Sequence, residues 1–319
     1  MNNKEILIKI KECIIKYDKI SLFFHTNPDF DTLGSVFALK EYIKKIYNRK
    51  EVKILDINLL EESVFKKFPK YKIEKNPNEN WIKKSLGIVC DTANKERIFC
   101  QKYSLCREII KIDHHPNKEE YGILQWVDIT YSSVCEMICD FLFFWDENFI
   151  TEMIASYIYV GIYTDTNRFF YSCTSQNTFL NMQRLFKHIP NISEINFKLS
   201  ERTIEELKFQ NEIYKIIKFD KKNKIASLKI PKNIFKKYKI ENNSMIWTMA
   251  NIEGIEIWTS IYYDEKQKKW KGSIRSKSSD ISIIASKYGG GGHEFASGFA
   301  LKKDKEFDKV IEDLIKIKK

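Results

Sequence analysis

The chain has 319 residues, a length that suits two domains and a sizeable core. Hydrophobic residues make up 43% and charged residues 30%, a globular composition, and no apolar run approaches the roughly 18 residues that a membrane span needs. The net charge of +11 favours a polyanionic partner, because a basic surface attracts phosphates; yet Lys, Ile and Asn are heavily used throughout, and many lysines would only solvate surfaces.

The first residues, Met1-Asn2-Asn3-Lys4-Glu5, lack the apolar core of a secretory signal. Residues 4–17 predict an amphipathic helix and residues 20–24 a buried strand. Directly after that strand comes His25-Thr26-Asn27-Pro28-Asp29-Phe30-Asp31. A helix follows over 32–47, with Gly34 and Ser35 at its opening, where backbone N–H groups favour a phosphate or carboxylate. Residues 52–55 predict a short strand, and the polar, proline-containing stretch 61–80 predicts loop and short helix.

Leu86-Gly87-Ile88-Val89-Cys90 reads as a buried strand with Asp91 just past its end. Residues 108–112 read as another, with Asp113-His114-His115-Pro116 just past it. Helices are predicted over 133–145, 150–163 and 175–188, the second running into Thr164-Asp165-Thr166-Asn167. Helices alternating with short apolar strands mean a parallel, doubly wound sheet. The composition shifts near Pro190, and residues 193–217 read as a charged helical connector. Strands over 224–230, 254–263 and 270–276, with a turn at 264–268, then a helix over 280–288, a strand over 296–301 and a helix over 304–318, make a smaller α/β domain. The expected fold is therefore α/β in two parts. Residues 1–190 form a doubly wound parallel-sheet domain, 191–217 a connector and 218–319 a second α/β domain.

The seven cysteines, Cys13, Cys90, Cys100, Cys106, Cys135, Cys139 and Cys173, are odd in number and mostly inside apolar runs. They read as buried free thiols in a reducing cytoplasm. His188 reads as an exposed helix residue, and Trp247, Trp258 and Trp270 as core residues rather than base-stacking platforms.

Four loops present the same kind of side chain: His25/Asp29/Asp31, Asp91, Asp113/His114/His115 and Asp165. One such Asp is ordinarily a turn or helix-cap residue. Four loops at one sheet edge, all bearing carboxylate or imidazole, repel one another unless cations neutralise them. Mixed His and Asp donors suit Mn, Fe, Zn or Co better than Ca. Six ligands are too many for one tetrahedral ion, and a pair of ions is the usual device for hydrolysing phosphate esters.

This order of motifs resembles the DHH phosphoesterase superfamily. Gly289-Gly290-Gly291-Gly292-His293 with Ala296-Ser297-Gly298 is similar to the nucleotide-binding motif of its DHHA1 domain, and Ser273-Ile274-Arg275-Ser276 to the strand that accompanies it. The resemblance covers nearly the whole chain, and in length and domain order it is to stand-alone bacterial enzymes that degrade very short RNAs and pAp (adenosine 3′,5′-bisphosphate). It implies an N-terminal DHH domain and a C-terminal DHHA1 domain. His25 and Asp29 would hold one divalent ion, manganese first among candidates. Asp31, His114 and Asp165 would hold a second, and Asp91 would bridge both. Asp113 would orient a ligand, and His115 would face the scissile phosphate. Arg275, Ser276, Gly291, Gly292 and His293 would hold the other end of the substrate across an inter-domain cleft. Hydroxide generated at the two ions would attack phosphorus. Two positions depart from the pattern: Phe30, where a small residue is common, and Asn167, where Gly is frequent.

The implied activity is hydrolysis of short oligoribonucleotides to nucleoside monophosphates, and of pAp to AMP plus phosphate. A cyclic di-AMP or pApA phosphodiesterase would use the same residues. A manganese pyrophosphatase shares the first-domain motifs, but pyrophosphate has no base or sugar for the glycine-rich motif to hold. A catalytically silent nucleotide sensor would be expected to have lost a ligand, and none is missing. No helix combines clustered basic and amide side chains after a tight turn, which disfavours sequence-specific DNA binding. The expected partners are short RNA, dinucleotides and pAp, with no membrane, and the resemblance leaves room for a homodimer.

Overall fold

The structure is a computed structural model that describes residues 3–240, 243–265 and 267–317. Met1 and Asn2, Lys266 inside the expected turn at 264–268, and Lys318 at the end of the last expected helix lie outside the described residues. The chain divides into two compact units, Met1–Glu201 and Arg202–Lys319.

The first unit is built on five parallel strands: β1 (Lys19–Phe23), β2 (Glu51–Ile54), β3 (Leu86–Cys90), β4 (Glu108–Asp113) and β5 (Leu124–Val127). Their order is β2-β1-β3-β4-β5. From β2 the chain crosses back over β1 to lay down β3, so the direction of winding reverses between β1 and β3. In doubly wound sheets a ligand crevice opens at such a switch point, beyond the carboxyl ends of the strands. His25 follows β1 and Asp91 follows β3, so the fold sets both beside that crevice. β5 has no clear signature in the sequence: Leu124-Gln125-Trp126-Val127 is four residues long and half-buried at the sheet edge, so it shows neither a full apolar run nor a long alternation.

Helix Phe30–Ile46 crosses the middle of the unit and is buried along most of its length, at Leu33, Val36, Phe37, Leu39, Tyr42 and Ile43 among others. It begins at Phe30, not Thr32, because the Asp29 side chain accepts the backbone N–H groups of Asp31 and Thr32 and so caps it. Gly34 and Ser35 thus lie buried in the second turn and present no open N–H groups to a ligand. Gly34 serves close packing instead: a Cβ there would lie 2.4 Å from the Tyr157 carbonyl oxygen and 2.8 Å from Cys135 Sγ. It lets helix Glu152–Asp165 and helix Val134–Asp146 approach the central helix. Lys50, buried, donates to the carbonyls of Ile15 and Tyr17 and closes the end of the first helix, Asn3–Lys16.

The charged stretch after Pro190 is two helices, Ile192–Ser200 and Ile204–Ile216, and the boundary between the units falls between them. The second unit holds six strands: β6 (Lys218–Asp220), β7 (Ile225–Lys229), β8 (Ile257–Asp264), β9 (Lys269–Ser276), β10 (Gly291–His293) and β11 (Ala296–Leu301). Their order is β10-β11-β9-β8-β7-β6, antiparallel except for the β7–β8 pair. One face buries Ile257, Ile261, Trp270, Ile274, Phe299 and Leu301 with Phe307, Val310 and Leu314 of helix Glu306–Ile317. On the other face Ala226, Leu228, Trp258 and Tyr262 pack with Phe209 and Ile213 of helix Ile204–Ile216.

Three expectations about single residues need correction. Trp247 is half exposed, whereas Trp270 is buried and Trp258 packs at the edge of the core. Cys173 is exposed and Cys13 and Cys106 are half-buried, although all seven thiols are free. His188 is half-buried with its ring 6.0 Å from that of Phe143, on the turn that ends helix Gln176–Phe186.

Candidate metal centre

Each loop delivers its side chain for a local reason. His25 Nδ1 lies 2.7 Å from the Thr26 carbonyl oxygen, which leaves Nε2 to face the crevice. Thr26 N–H bonds to the Arg97 carbonyl and Phe99 N–H to the Phe24 carbonyl, pinning this loop to the stretch after β3. Asp29 divides its carboxylate, Oδ1 capping the helix and Oδ2 lying 3.7 Å from His25 Nε2. Asp31 is buried, and its two oxygens accept the N–H groups of Val134 and Cys135 at 2.8 and 2.7 Å. Asp91 takes a positive φ of 57°, a left-handed conformation that Asp tolerates better than most residues. His114 Nδ1 lies 3.4 Å from the Tyr131 carbonyl, again leaving Nε2 for the crevice.

These side chains meet. Asp91 Oδ2 is 3.2 Å from His25 Nε2, and Asp91 Oδ1 is 3.3 Å from His115 Nδ1 and 3.7 Å from His114 Nε2. His114 Nε2 is 3.5 Å from Asp165 Oδ2. Three triads bring their donor atoms within 4.8 Å of one another: His25/Asp29/Asp91, Asp91/His114/His115 and Asp31/His114/Asp165. Asp113 stands one step back, as the last residue of β4 and fully buried, with Oδ1 2.9 Å from His115 Nδ1.

The electrostatics are those of carboxylates crowded without enough positive charge. Burial, then the charges of Asp91, Asp165 and Asp29, push the Asp31 carboxyl far up. Burial, then Asp29 and Asp91, push Asp165 up to about 7. Burial would raise Asp91 too, but His115 and His25 outweigh it and hold Asp91 well below the carboxylate range. Burial disfavours protonation of His25, yet Asp29 and Asp91 raise it to about 10. Asp113, then Asp91, raise His115 to about 10, whereas burial lowers His114. Asp91 Oδ1 is buried with no hydrogen-bond partner, an acceptor poised for a cation. Carboxylate oxygens and imidazole nitrogens at these separations fit a transition-metal divalent ion.

Lys111 belongs to the same neighbourhood, although no motif points to it. It sits inside the apolar run of β4, wholly buried, and its ammonium donates to the carbonyls of Ala93 and Glu119 and to Asn117 Oδ1. It ties the loop after Asp91 to the loop after His115, 3.9 Å from Asp113 Oδ2. A lysine in an otherwise apolar strand is the signal the sequence offers for it.

Phe30 packs against Phe68, with ring centroids 5.6 Å apart. Asn167 adopts φ 48°, so the left-handed turn that a glycine would make is kept, and Arg168 and Phe169 continue it at 62° and 66°.

In the second unit, strand alternation puts Arg275, Ala296 and His293 in one row, paired across β9, β11 and β10, with Gly291 opposite Gly298 on the same face. Ser276 and Gly292 fall on the opposite alternation. The Ser276 hydroxyl already accepts the N–H groups of Ser278 and Ser279. Gly292 takes φ 149°, and a Cβ there would meet the Ala296 carbonyl oxygen at 2.6 Å.

Residues 19–162 match the DHH family, N-terminal domain, and residues 233–319 match the DHHA1 domain. The chain is 34% identical over 303 residues to the bifunctional oligoribonuclease and PAP phosphatase NrnA of Bacillus subtilis (strain 168), covering 93% of this chain and 94% of that one. It is 30% identical to the protein of the same name in Mycoplasma genitalium, covering 95% of each. An uncharacterised protein of Mycoplasma genitalium is 34% identical over 93% of this chain and 91% of its own. The crystal structure of an exopolyphosphatase-related protein from Bacteroides fragilis has the same fold, with a TM-score of 0.81, 19% identity and coverage of 98% of this chain and 96% of that one.

Proposed function

The chain belongs to the DHH phosphoesterase family, and on that premise we propose that it hydrolyses short oligoribonucleotides to nucleoside monophosphates and pAp to AMP plus phosphate. The observation that carries this reading is the convergence of His25, Asp29, Asp31, Asp91, His114 and Asp165 on one crevice of the first unit. Relatives of nearly equal length named for these two activities support it.

In this reading His25 and Asp29 would hold one divalent ion, manganese first among candidates, Asp31, His114 and Asp165 would hold a second, and Asp91 would serve both. Bound there, such ions neutralise phosphate oxygens and lower the pKa of water. His115, with Nδ1 on Asp113 and its side chain 40% exposed, offers its other nitrogen to the phosphate ester. The buried charge of Asp113 favours the protonated form of that imidazole, in which the ring would donate a hydrogen bond where negative charge builds up. Arg275, Gly291, Gly292 and His293 hold the nucleoside and phosphate portion, with Ser276 bracing the turn behind Arg275. The free thiols suit a reducing compartment, and we place the enzyme in the cytoplasm. No helix among the described residues is long and apolar enough to cross a membrane.

The test is a rate panel on purified protein, stripped with chelator and reloaded with manganese, magnesium, cobalt or zinc. The substrates are pAp, pApA, cyclic di-AMP and RNAs of increasing length. The proposal predicts fastest turnover of short RNA and pAp, with manganese the best metal. A higher rate on cyclic di-AMP overturns the substrate assignment but not the phosphoesterase. Absence of hydrolysis with every metal overturns the enzyme and leaves a nucleotide sensor.

A further inference from the structure

On β9, Trp270, Gly272 and Ile274 alternate with Lys271, Ser273 and Arg275, so the face that packs under helix Glu306–Ile317 is the reverse of the one that carries Arg275. The helix sets Phe307, Val310 and Leu314 on Ile257, Ile261, Trp270 and Ile274. On the same face, alternation along β7 places Ile225, Ser227 and Lys229, and the register puts Lys218 of β6 opposite Ser227. Between this edge and the helix lies a cavity of about 490 Å³, within the size range of small-molecule pockets.

Most of its wall is apolar: Ile216, Ile230, Trp270, Phe307 and Ile311 line it. The polar groups are few. Lys229 Nζ is 2.6 Å from Asp304 Oδ2 and so already has its counter-charge, and Asp308 is exposed at the rim. Lys218 and Lys232, both exposed lining residues, make no ion pair among the described residues. The Lys232 ammonium instead stands 3.8 Å from the ring centre of Tyr263 and 5.6 Å from that of Trp270, over the aromatic wall. Ser227 also lines the cavity. It is 9% exposed, and its hydroxyl has no hydrogen-bond partner among the described residues.

A buried hydroxyl is ordinarily satisfied, and a group in the cavity beside it is what can satisfy this one. Apolar walls that include Trp270 and Phe307 suit a flat apolar body. The hydroxyl and two unpaired ammoniums suit one anionic head. A nucleotide fits poorly, since the lining has no side-chain amide to read a base and only two free cations to meet its phosphates. We propose that this cavity is a second ligand site, on the face opposite Arg275, for a small aromatic anion whose head is held by Ser227, Lys218 and Lys232 and whose ring lies against Trp270 and Phe307.

The probe is anilinonaphthalene sulfonate, an aromatic sulfonate whose fluorescence rises in an apolar site, titrated into the full chain in chelator. Phenylnaphthylamine, the same ring system without the sulfonate, is the neutral comparison. The native chain should show one saturable site for the sulfonate and bind it about tenfold more tightly than the amine, the size of a charge-assisted hydrogen bond. Lys218→Gln/Lys232→Gln alters only exposed side chains, and should bring the two affinities together by weakening the sulfonate alone. Ser227→Ala should weaken the sulfonate about three- to tenfold, the size of one hydrogen bond. Ile311→Trp fills the cavity from its half-buried wall and should remove both compounds, whereas Arg275→Ala should leave both bound as before. Absence of saturable binding, equal affinity of the native chain for the sulfonate and the amine, or a sulfonate preference that survives the lysine substitutions overturns the site. Loss of binding in Arg275→Ala overturns it as well, because the dye then sits on the other face of the sheet. No readout here involves hydrolysis, so the site and the proposed activity stand or fall separately.

Discussion

Asp113 Oδ1 accepts two hydrogen bonds from His115, one from its backbone N–H at 3.2 Å and one from its Nδ1 at 2.9 Å. The other oxygen of Asp113 is buried without a hydrogen-bond partner, its nearest cation being the Lys111 ammonium at 3.9 Å. The carboxylate is thus fixed in place, and its charge acts most strongly on the His115 imidazole. Asp113→Asn keeps the shape and removes the charge, so kcat should fall by about 10–100-fold, the usual size of such supporting interactions. The bound metal should stay at its native level. The check is kcat on bis-p-nitrophenyl phosphate beside metal content by mass spectrometry. A proportional loss of metal would make Asp113 a support of the ions instead.

The strands and loops that carry this site are legible in the sequence because buried parallel strands are short apolar runs and their ends are marked by polar residues. Leu86–Cys90 followed by Asp91 is such a case. Other features depend on interactions made only in three dimensions. Asp29 reads equally as a turn residue, a cap or a ligand, and only the fold shows it capping the helix with one oxygen while offering the other. β5 and β10 are too short to show a period and exist because a neighbouring strand supplies their hydrogen bonds. Size alone puts Trp247 in the core, which ignores that a large ring is often left half exposed.

Removing metal should leave a protein that becomes less stable as pH rises. Asp165 is pushed up to about 7 in the folded chain by burial and by Asp29 and Asp91, above its ordinary 3.8. Between those two values the folded state holds a proton that the unfolded chain has released, so Asp165 costs stability as pH rises to about 7 and adds no further loss above it. His25 and His115, raised to about 10 from 6.5, stabilise the fold fully below 6.5 and lose that contribution as pH rises through about 10. All three act in the same direction. The melting temperature of chelated protein should fall between pH 6 and pH 9, whereas metal-loaded protein should hold or gain, because its ligands bind ions only when deprotonated. Scanning fluorimetry across that range decides it, and a chelated protein that grows more stable with rising pH would contradict the crowding of charges.

Glu74 anchors the central helix from outside. Its carboxylate lies 3.3 Å from the ammonium of Lys40, whose side chain is 3% exposed, and 2.5 Å from that of Lys53. Burial would raise Glu74, but the two lysines outweigh it and hold it at about 2. Its stabilisation is present above pH 4.5 and is lost as pH falls through about 2. Glu74→Gln leaves Lys40 buried beside a neutral partner, and should cost about 3 kcal/mol, the lower end for a broken buried pair. The urea midpoint at pH 7 checks this, and Glu74→Gln combined with Lys40→Met should recover most of the loss.

Asp31 does two jobs that substitutions can separate. Its oxygens accept the first two N–H groups of helix Val134–Asp146, and it also sits in the triad with His114 and Asp165. Without metal, its charge is opposed by burial and by Asp91, Asp165 and Asp29, which is why its carboxyl is pushed so far up. Removing the charge therefore relieves repulsion, whereas removing the oxygens strands two N–H groups in the core. Asp31→Asn loses the charge and keeps one of the two acceptors, its NH2 facing the other helix N–H, so in chelator the relieved repulsion should offset the lost bond and leave the variant about as stable as the native chain. Asp31→Ala loses both, and should fall below Asp31→Asn by about 1–2 kcal/mol, the usual size of a lost N-terminal helix cap. Neither variant should bind metal normally, so the melting-temperature rise expected of the native chain with manganese should shrink in both. Urea unfolding in chelator orders the three proteins, and manganese titration by scanning fluorimetry reads the second effect. If Asp31→Asn in chelator is clearly less stable than the native chain, the carboxylate contributes more as a helix cap than its charge costs. If manganese still stabilises Asp31→Asn as much as the native chain, Asp31 supports the helix alone and is not a ligand.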